Sequence, residues 1–259
     1  MLKHTSHTIA ILNAMGNSEK CPLCHLWEKD EEREIGHLLS NEVVMDPGFR
    51  DKVLLAKGFC SYHSHKLFKA IYTDFREDSL GLALYFQGIA DAVLDELVTI
   101  SSYTRETPKR GGTTSRIRKR RLDFSNLSSG VSKAIQGKQA CPACQSLEAS
   151  DRAHLNTLLR MLDDEDFRGD FRSSLGLCLP HFASAFSLLS QTSLANSGEV
   201  ALALMGTEIS HLQSVGQLLS EFIKKQSYEF LNEPRGEEVK ANSIALNTLT
   251  GVEGRYSGS

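Results

Sequence analysis

Every cysteine in this chain falls inside a block that occurs twice. Cys21-Pro-Leu-Cys24, with Glu28 four residues on, matches Cys141-Pro-Ala-Cys144 with Glu148, and Gly58-Phe59-Cys60 with His63 matches Gly176-Leu177-Cys178 with His181. The first pair of blocks is offset by 120 residues and the second by 118, so one two-residue difference aligns everything. Between the blocks, Trp27, Glu31, Ile35, Leu38 and Leu39 align with Leu147, Asp151, Leu155, Leu158 and Leu159, which keeps one helical apolar stripe. A spacing this regular constrains the fold more than any average property of the chain does, because it divides six cysteines three and three and gives each set one histidine.

The repeat organises the sequence into an N-terminal arm (1–14), a first helical unit (15–103), a basic flexible linker (104–129), a second helical unit (130–232) and a disordered tail (233–259). Each unit reads as a long helix starting at the Cys-Pro-x-Cys, a short one through Phe49-Arg50 or Phe167-Arg168, one starting at the Cys-x-x-His, and a long closing helix. Strand signals are nearly absent, so the expected fold is all-α, with two tandem units each stapled by its own Cys3His metal site. Phe49, Phe167, Phe68 and Phe186 are expected in the core.

Tetrahedral zinc takes four ligands from thiolate and imidazole, and three cysteines with one histidine is a common structural set. The expected ligands are Cys21, Cys24, Cys60 and His63 in one copy and Cys141, Cys144, Cys178 and His181 in the other, for two Zn²⁺ per chain. Pro22 and Pro142 suit the first position of a helix, and Gly58 and Gly176 suit the end of the element before each Cys-x-x-His. The thiols would then lie at helix N-termini, where unpaired N–H groups and the macrodipole favour the thiolate. An iron–sulfur cluster, a dithiol redox pair and, for Cys21-Pro-Leu-Cys24-His25, a covalent haem are the competing chemistries; Gln145 replaces the histidine in the second copy and argues against haem.

Glu28, Glu31, Glu148 and Asp151 are candidates to accept the second ring N–H of a metal-bound histidine, with an ion pair to Arg50 or Arg168 as the plainer role. His25, His37, His65, His154 and His211 have no counterpart in the other copy and read as surface or ordinary core histidines. With four protein ligands per site no open position is expected, and no catalytic residue is assigned.

Charge is uneven. Residues 105–121 hold eight basic residues against Glu106 alone, a net +7 inside a chain of net −3, which leaves −10 for the remainder. Such a run can neutralise phosphates, with Arg116, Arg118, Lys119, Arg120 and Arg121 as candidate nucleic-acid contacts, or it can be a solvated connector. No apolar run of about 20 residues is free of charges, so a soluble, cytoplasmic protein without membrane contact is expected, in a compartment where clustered thiols serve as metal ligands rather than disulfides.

The Cys-Pro-x-Cys with its glutamate-rich helix (Cys21 to Glu32), Asp46-Pro47-Gly48-Phe49-Arg50 and Gly58 to His63 together resemble an uncharacterised prokaryotic family, a domain of unknown function with CPxC and G[FL]CxxH motifs. The second copy keeps the cysteines and His181 but has Asp164-Glu165-Asp166-Phe167-Arg168 in place of the proline-containing turn. The resemblance implies a zinc-binding helical fold in two copies and no particular activity. The resulting expectation is a non-enzymatic zinc-binding scaffold or adaptor that contacts another protein, as a monomer or weak homo-oligomer. A thiol or metal redox sensor, an iron–sulfur electron-transfer protein and a nucleic-acid-binding protein are the alternatives.

Overall fold

In the computed structural model, residues 5–16, 20–73, 80–105, 124–230 and 233–255 are described. They form twelve α-helices and two short 3₁₀ turns, with no strand among the described residues. In chain order the helices are α1 (Ser6–Met15), α2 (Pro22–Leu38), α3 (Asn41–Met45), α4 (Pro47–Leu55), α5 (Ser61–Thr73), α6 (Leu80–Arg105), α7 (Phe124–Ile135), α8 (Pro142–Met161), α9 (Glu165–Arg172), α10 (Leu179–Leu189), α11 (Ser197–Lys224) and α12 (Ala241–Thr250). Local chemistry sets several of the starts. Thr5 and Thr8 form a reciprocal capping box on α1. Asp46 accepts from the Gly48 N–H and has Pro47 behind it at the start of α4, while Asp164 accepts from the Asp166 and Phe167 N–H groups at the start of α9.

The chain forms two compact units, and they do not follow the boundaries the repeat suggests. The first comprises residues 5–32 and 147–255 and the second residues 33–146, as far as these are described, so the divisions fall inside α2 and inside α8. The core of the first unit gathers Ile11, Leu23, Trp27, Leu158, Phe167, Phe171 and Leu204, and α11 packs on α9, α10 and α12. The second unit buries Ile35, Leu38, Val44, Leu67, Leu82 and Tyr85, with the Tyr85 hydroxyl donating to the Leu38 carbonyl, and α6 packs on α3, α4 and α7. Of the four phenylalanines expected inside, Phe167 is fully buried and Phe49 and Phe186 are partly so. Phe68 is half exposed and lies against Tyr72.

Two segments differ from expectation. Helix α7 begins inside the stretch read as linker. Its apolar residues Phe124, Leu127, Val131 and Ala134 recur at helical spacing among serines that mask the pattern, and Ala134 is buried. Residues 233–255 of the segment read as a disordered tail instead fold: Ala241, Ala245, Thr248 and Val252 are buried, and Glu238 is buried with Lys225 Nζ at 3.1 Å and the Gly236 N–H at 2.9 Å. Small residues such as Ala and Thr carry little hydropathy but pack closely, which is why composition alone suggested disorder.

Glu208 on α11 is a buried, weakly compensated acid of the first unit. It is buried, its Oε1 has no hydrogen-bond partner, and its Oε2 accepts only a long 3.4 Å bond from the Leu177 N–H. Burial raises its carboxyl to about 7, more than the Leu177 bond lowers it. A raised carboxyl in the folded state favours the fold below the unfolded value and loses that advantage as pH rises through 7. Glu208→Gln should therefore raise Tm more at pH 8 than at pH 5. Thermal melts at the two values check this; an equal shift would remove Glu208 as a source of pH dependence.

Candidate metal centres

Four helices begin at the cysteine motifs in the same way. The carbonyls of Cys21, Cys60, Cys141 and Cys178 accept the first helical bonds, from the N–H groups of His25, Ser64, Gln145 and Phe182 at 3.0, 2.9, 3.0 and 2.8 Å. Each first cysteine is thus the cap of α2, α5, α8 or α10. The second ligand of each motif, three residues on, returns to the same helix end. Gly58 and Gly176 precede the Cys-x-x-His motifs at φ 105° and 70°, a left-handed turn that a side chain resists.

The candidate ligands assemble into two sets, and the pairing is crossed. Cys21 and Cys24 of the first copy meet Cys178 and His181 of the second, while Cys60 and His63 of the first meet Cys141 and Cys144 of the second. The expectation that each copy closes its own centre is corrected: each Cys-Pro-x-Cys faces the Cys-x-x-His of the other copy. The reason is the chain path. The start of α2 and all of α10 belong to the first compact unit, and α5 and the start of α8 to the second.

The dimensions fit one ion per set. A tetrahedral zinc with bonds of about 2.3 Å to sulfur and about 2.0 Å to nitrogen sets S···S edges near ~3.8 Å and S···N edges near ~3.5 Å. In the first centre, His181 Nδ1 lies 3.5, 3.5 and 3.1 Å from the sulfurs of Cys21, Cys24 and Cys178, and Cys24 Sγ lies 3.5 Å from Cys178 Sγ. In the second, His63 Nδ1 lies 3.2, 3.7 and 3.3 Å from Cys60, Cys141 and Cys144, and Cys60 Sγ lies 3.8 Å from Cys144 Sγ. No disulfide joins any of the six thiols.

Electrostatics favour a cation at both places. The Cys144 thiol, through its hydrogen bond, brings Cys141 down to about 3 against the opposing effect of burial. Cys144 is pushed up in return, by that same bond and by burial. In the first centre, burial opposes ionisation of Cys21, but hydrogen bonds from Cys178 and Cys24 and the charge of His181 hold it well below the usual thiol range, and Cys24 is pushed up by its bonds to Cys178 and Cys21. Protons alone let one thiol of the pair ionise at its neighbour's expense. A divalent ion removes that conflict and suits three thiolates together.

Of the four candidate acids, Asp151 is the one whose hydrogen bond to a cluster histidine the structure shows. His181 Nε2 donates to Asp151 Oδ1 at 2.8 Å, and Arg255 donates to Asp151 Oδ2 at 2.7 Å. The Asp151 carboxyl stays below the usual range because His181 and Arg255 outweigh its burial. Glu28 instead pairs with Lys20 at 2.7 Å, Glu148 is exposed and Glu31 is buried in α2. Arg168 donates to the Leu162 and Asp163 carbonyls, so the ion pair considered for it is replaced by backbone capping.

Sequence reasoning missed the C-terminal contribution. Gly251, at φ 74°, passes so close to the first centre that a Cβ there would lie 3.4 Å from Cys178 Sγ and 3.6 Å from Cys24 Sγ. A few residues later Arg255 secures Asp151. The only sequence signal was the Gly-x-x-Gly-Arg end of a segment read as tail. The candidate nucleic-acid contacts Arg116, Arg118, Lys119, Arg120 and Arg121 lie outside the described residues. No described helix is long and apolar enough to cross a membrane.

A model of the family of unknown function DUF6062 matches residues 2–254, a span that includes all eight candidate ligands. The chain belongs to that family. No curated protein and no solved structure matches it. For this member of DUF6062, the crossed ligand sets and the Arg255–Asp151–His181 chain give a direct prediction. Asp151→Ala should weaken metal retention at the first centre by about 10–100-fold, and Arg255→Ala should weaken it less but in the same direction. The second centre should keep its wild-type affinity in both variants. Chelator competition on each protein, resolving the two centres by their separate release, measures this.

Proposed function

We propose that the protein is a non-enzymatic helical scaffold or adaptor, with one structural zinc in each compact unit, that binds another protein in the cytoplasm. The observation that carries this reading is the pair of four-donor sets with edges of 3.1–3.8 Å, each buried or nearly so. Four protein ligands complete a tetrahedral shell and leave no position for a substrate or activated water, the arrangement of structural rather than catalytic zinc. Edges this short suit a single ion; an iron–sulfur cluster spreads its ligands around several metal atoms. Six unpaired thiols suit a reducing compartment. Support for a protein partner comes from α11, where Leu202, Met205 and Ile209 are 66%, 47% and 53% exposed at i, i+3, i+7 spacing, an apolar stripe of the kind that helices present to partners. Nucleic-acid binding through residues 105–121 is the lesser alternative and rests on the +7 charge alone.

Elemental analysis of protein purified without added metal should give about two zinc per chain, and Cys24→Ser should lower that count by about one. Iron with visible-light absorption would contradict the reading.

One observation favours a thiol-sensing role as a second reading. Cys60 is only partly buried, whereas the other five cysteines are buried, so the second centre offers an oxidant an accessible sulfur. Peroxide should then release zinc in two phases, the second centre first, with loss of free thiols in step. Release of both together, or none while the thiols oxidise, would count against it.

A further inference from the structure

A third polar cluster lies in the first unit, away from both Cys3His sets. His154 on α8 is buried, and its Nε2 lies 2.9 Å from Oδ2 of Asp30, itself 9% exposed. That bond places the Nε2 proton toward the carboxylate and leaves the Nδ1 lone pair facing α1. His7 on α1, which is exposed, brings its own Nδ1 to 3.4 Å from His154 Nδ1. A carboxylate behind a ring whose other nitrogen carries a lone pair is the arrangement that orients metal-bound histidine.

The separation of the two rings matches that of two imidazoles sharing one ion. An N–H···N bond is normally about 2.7–3.2 Å long, and a linear one stretched to ~3.4 Å would hold the ring centres about 5.7 Å apart. Two imidazole nitrogens bound at about 2.05 Å to one ion at the tetrahedral angle are about 3.4 Å apart, with ring centres about 5.2 Å apart. The observed values are 3.4 Å and 5.1 Å, with the ring planes at 64°.

We propose that His7 and His154 form a third metal site, for a single divalent ion of the imidazole-binding kind such as Zn²⁺, with Asp30 as the positioning residue that fixes the His154 ring. His7 is the solvent-facing ligand, so the remaining positions on the ion are open to water or to a donor from outside. With two neutral ligands and no thiolate, this site holds its ion more weakly than the Cys3His sets and exchanges it readily. It ties α1 to α8.

The test uses the full-length protein already loaded at its tight sites, with Zn²⁺ alone as the titrant in isothermal calorimetry. Wild type should take up about one further equivalent, and so should the control His65→Ala. His7→Ala and His154→Gln should each lose that equivalent. Because His7 is exposed, His7→Ala should fold as wild type does, and its α1 should lose the added thermal protection that zinc gives wild type. No further equivalent in wild type, or a further equivalent that survives His7→Ala, would overturn the site. The readout is the one ion that His7 carries, so it stands or falls independently of which metal fills the Cys3His centres.

Discussion

Convergence of helix N-termini on a single point is the constraint on which the structure depends. At each Cys3His set two helices begin within a few ångströms of each other, with their unpaired N–H groups and positive dipole ends directed at the same place. Two positive ends repel unless something negative separates them, and sulfur donors at the cap positions supply it: the His63 N–H, for example, reaches Cys60 Sγ at 3.5 Å. Three thiolates in a buried space repel in turn, and a divalent cation resolves that. A cation held there would complete an alternating arrangement of helix ends, thiolates and ion, in which each layer steadies the next. The rest of each unit is an ordinary apolar core built around the helices so fixed.

Crossed pairing has a modest energetic consequence. Joining Cys24 to Cys178 closes a separation of 154 residues, about two doublings longer than the 36 residues between Cys24 and Cys60. Each doubling costs only about 0.6 kcal/mol in loop-closure entropy, against roughly 10–16 kcal/mol for binding a structural zinc. Entropy therefore does not select pairing within a copy, and the path of α2 and α8 decides instead. The crossed arrangement makes each compact unit depend on two distant stretches of chain, so a break in either copy is felt in both units.

Much of the site was legible in the sequence because ligand chemistry is local. The Cys-Pro-x-Cys and Cys-x-x-His spacings fixed which residues would point from a helix end, and the donor types fixed what could join them. Pairing was not legible, since two identical half-sites can close within a copy or across copies with the same local geometry; only packing distinguishes them. Asp151 was named from its position after the second cysteine, whereas Arg255 was hidden because its role arises through a contact 104 residues away. The helical class followed from periodicity, and the errors came where that signal was thin: α7, whose apolar residues are diluted by serines, and α12, whose buried face is Ala and Thr. His154 read as an ordinary histidine because its partners, Asp30 and His7, come from elsewhere in the chain.

Alkylation footprinting of zinc-loaded protein carrying His181→Ala tests the crossed pairing most directly. Loss of one ligand exposes the sulfurs that share its ion and spares those of the other centre. With crossed pairing, Cys21, Cys24 and Cys178 become reactive while Cys60, Cys141 and Cys144 stay protected. Reaction at Cys141 and Cys144 with Cys21 and Cys24 protected would contradict it.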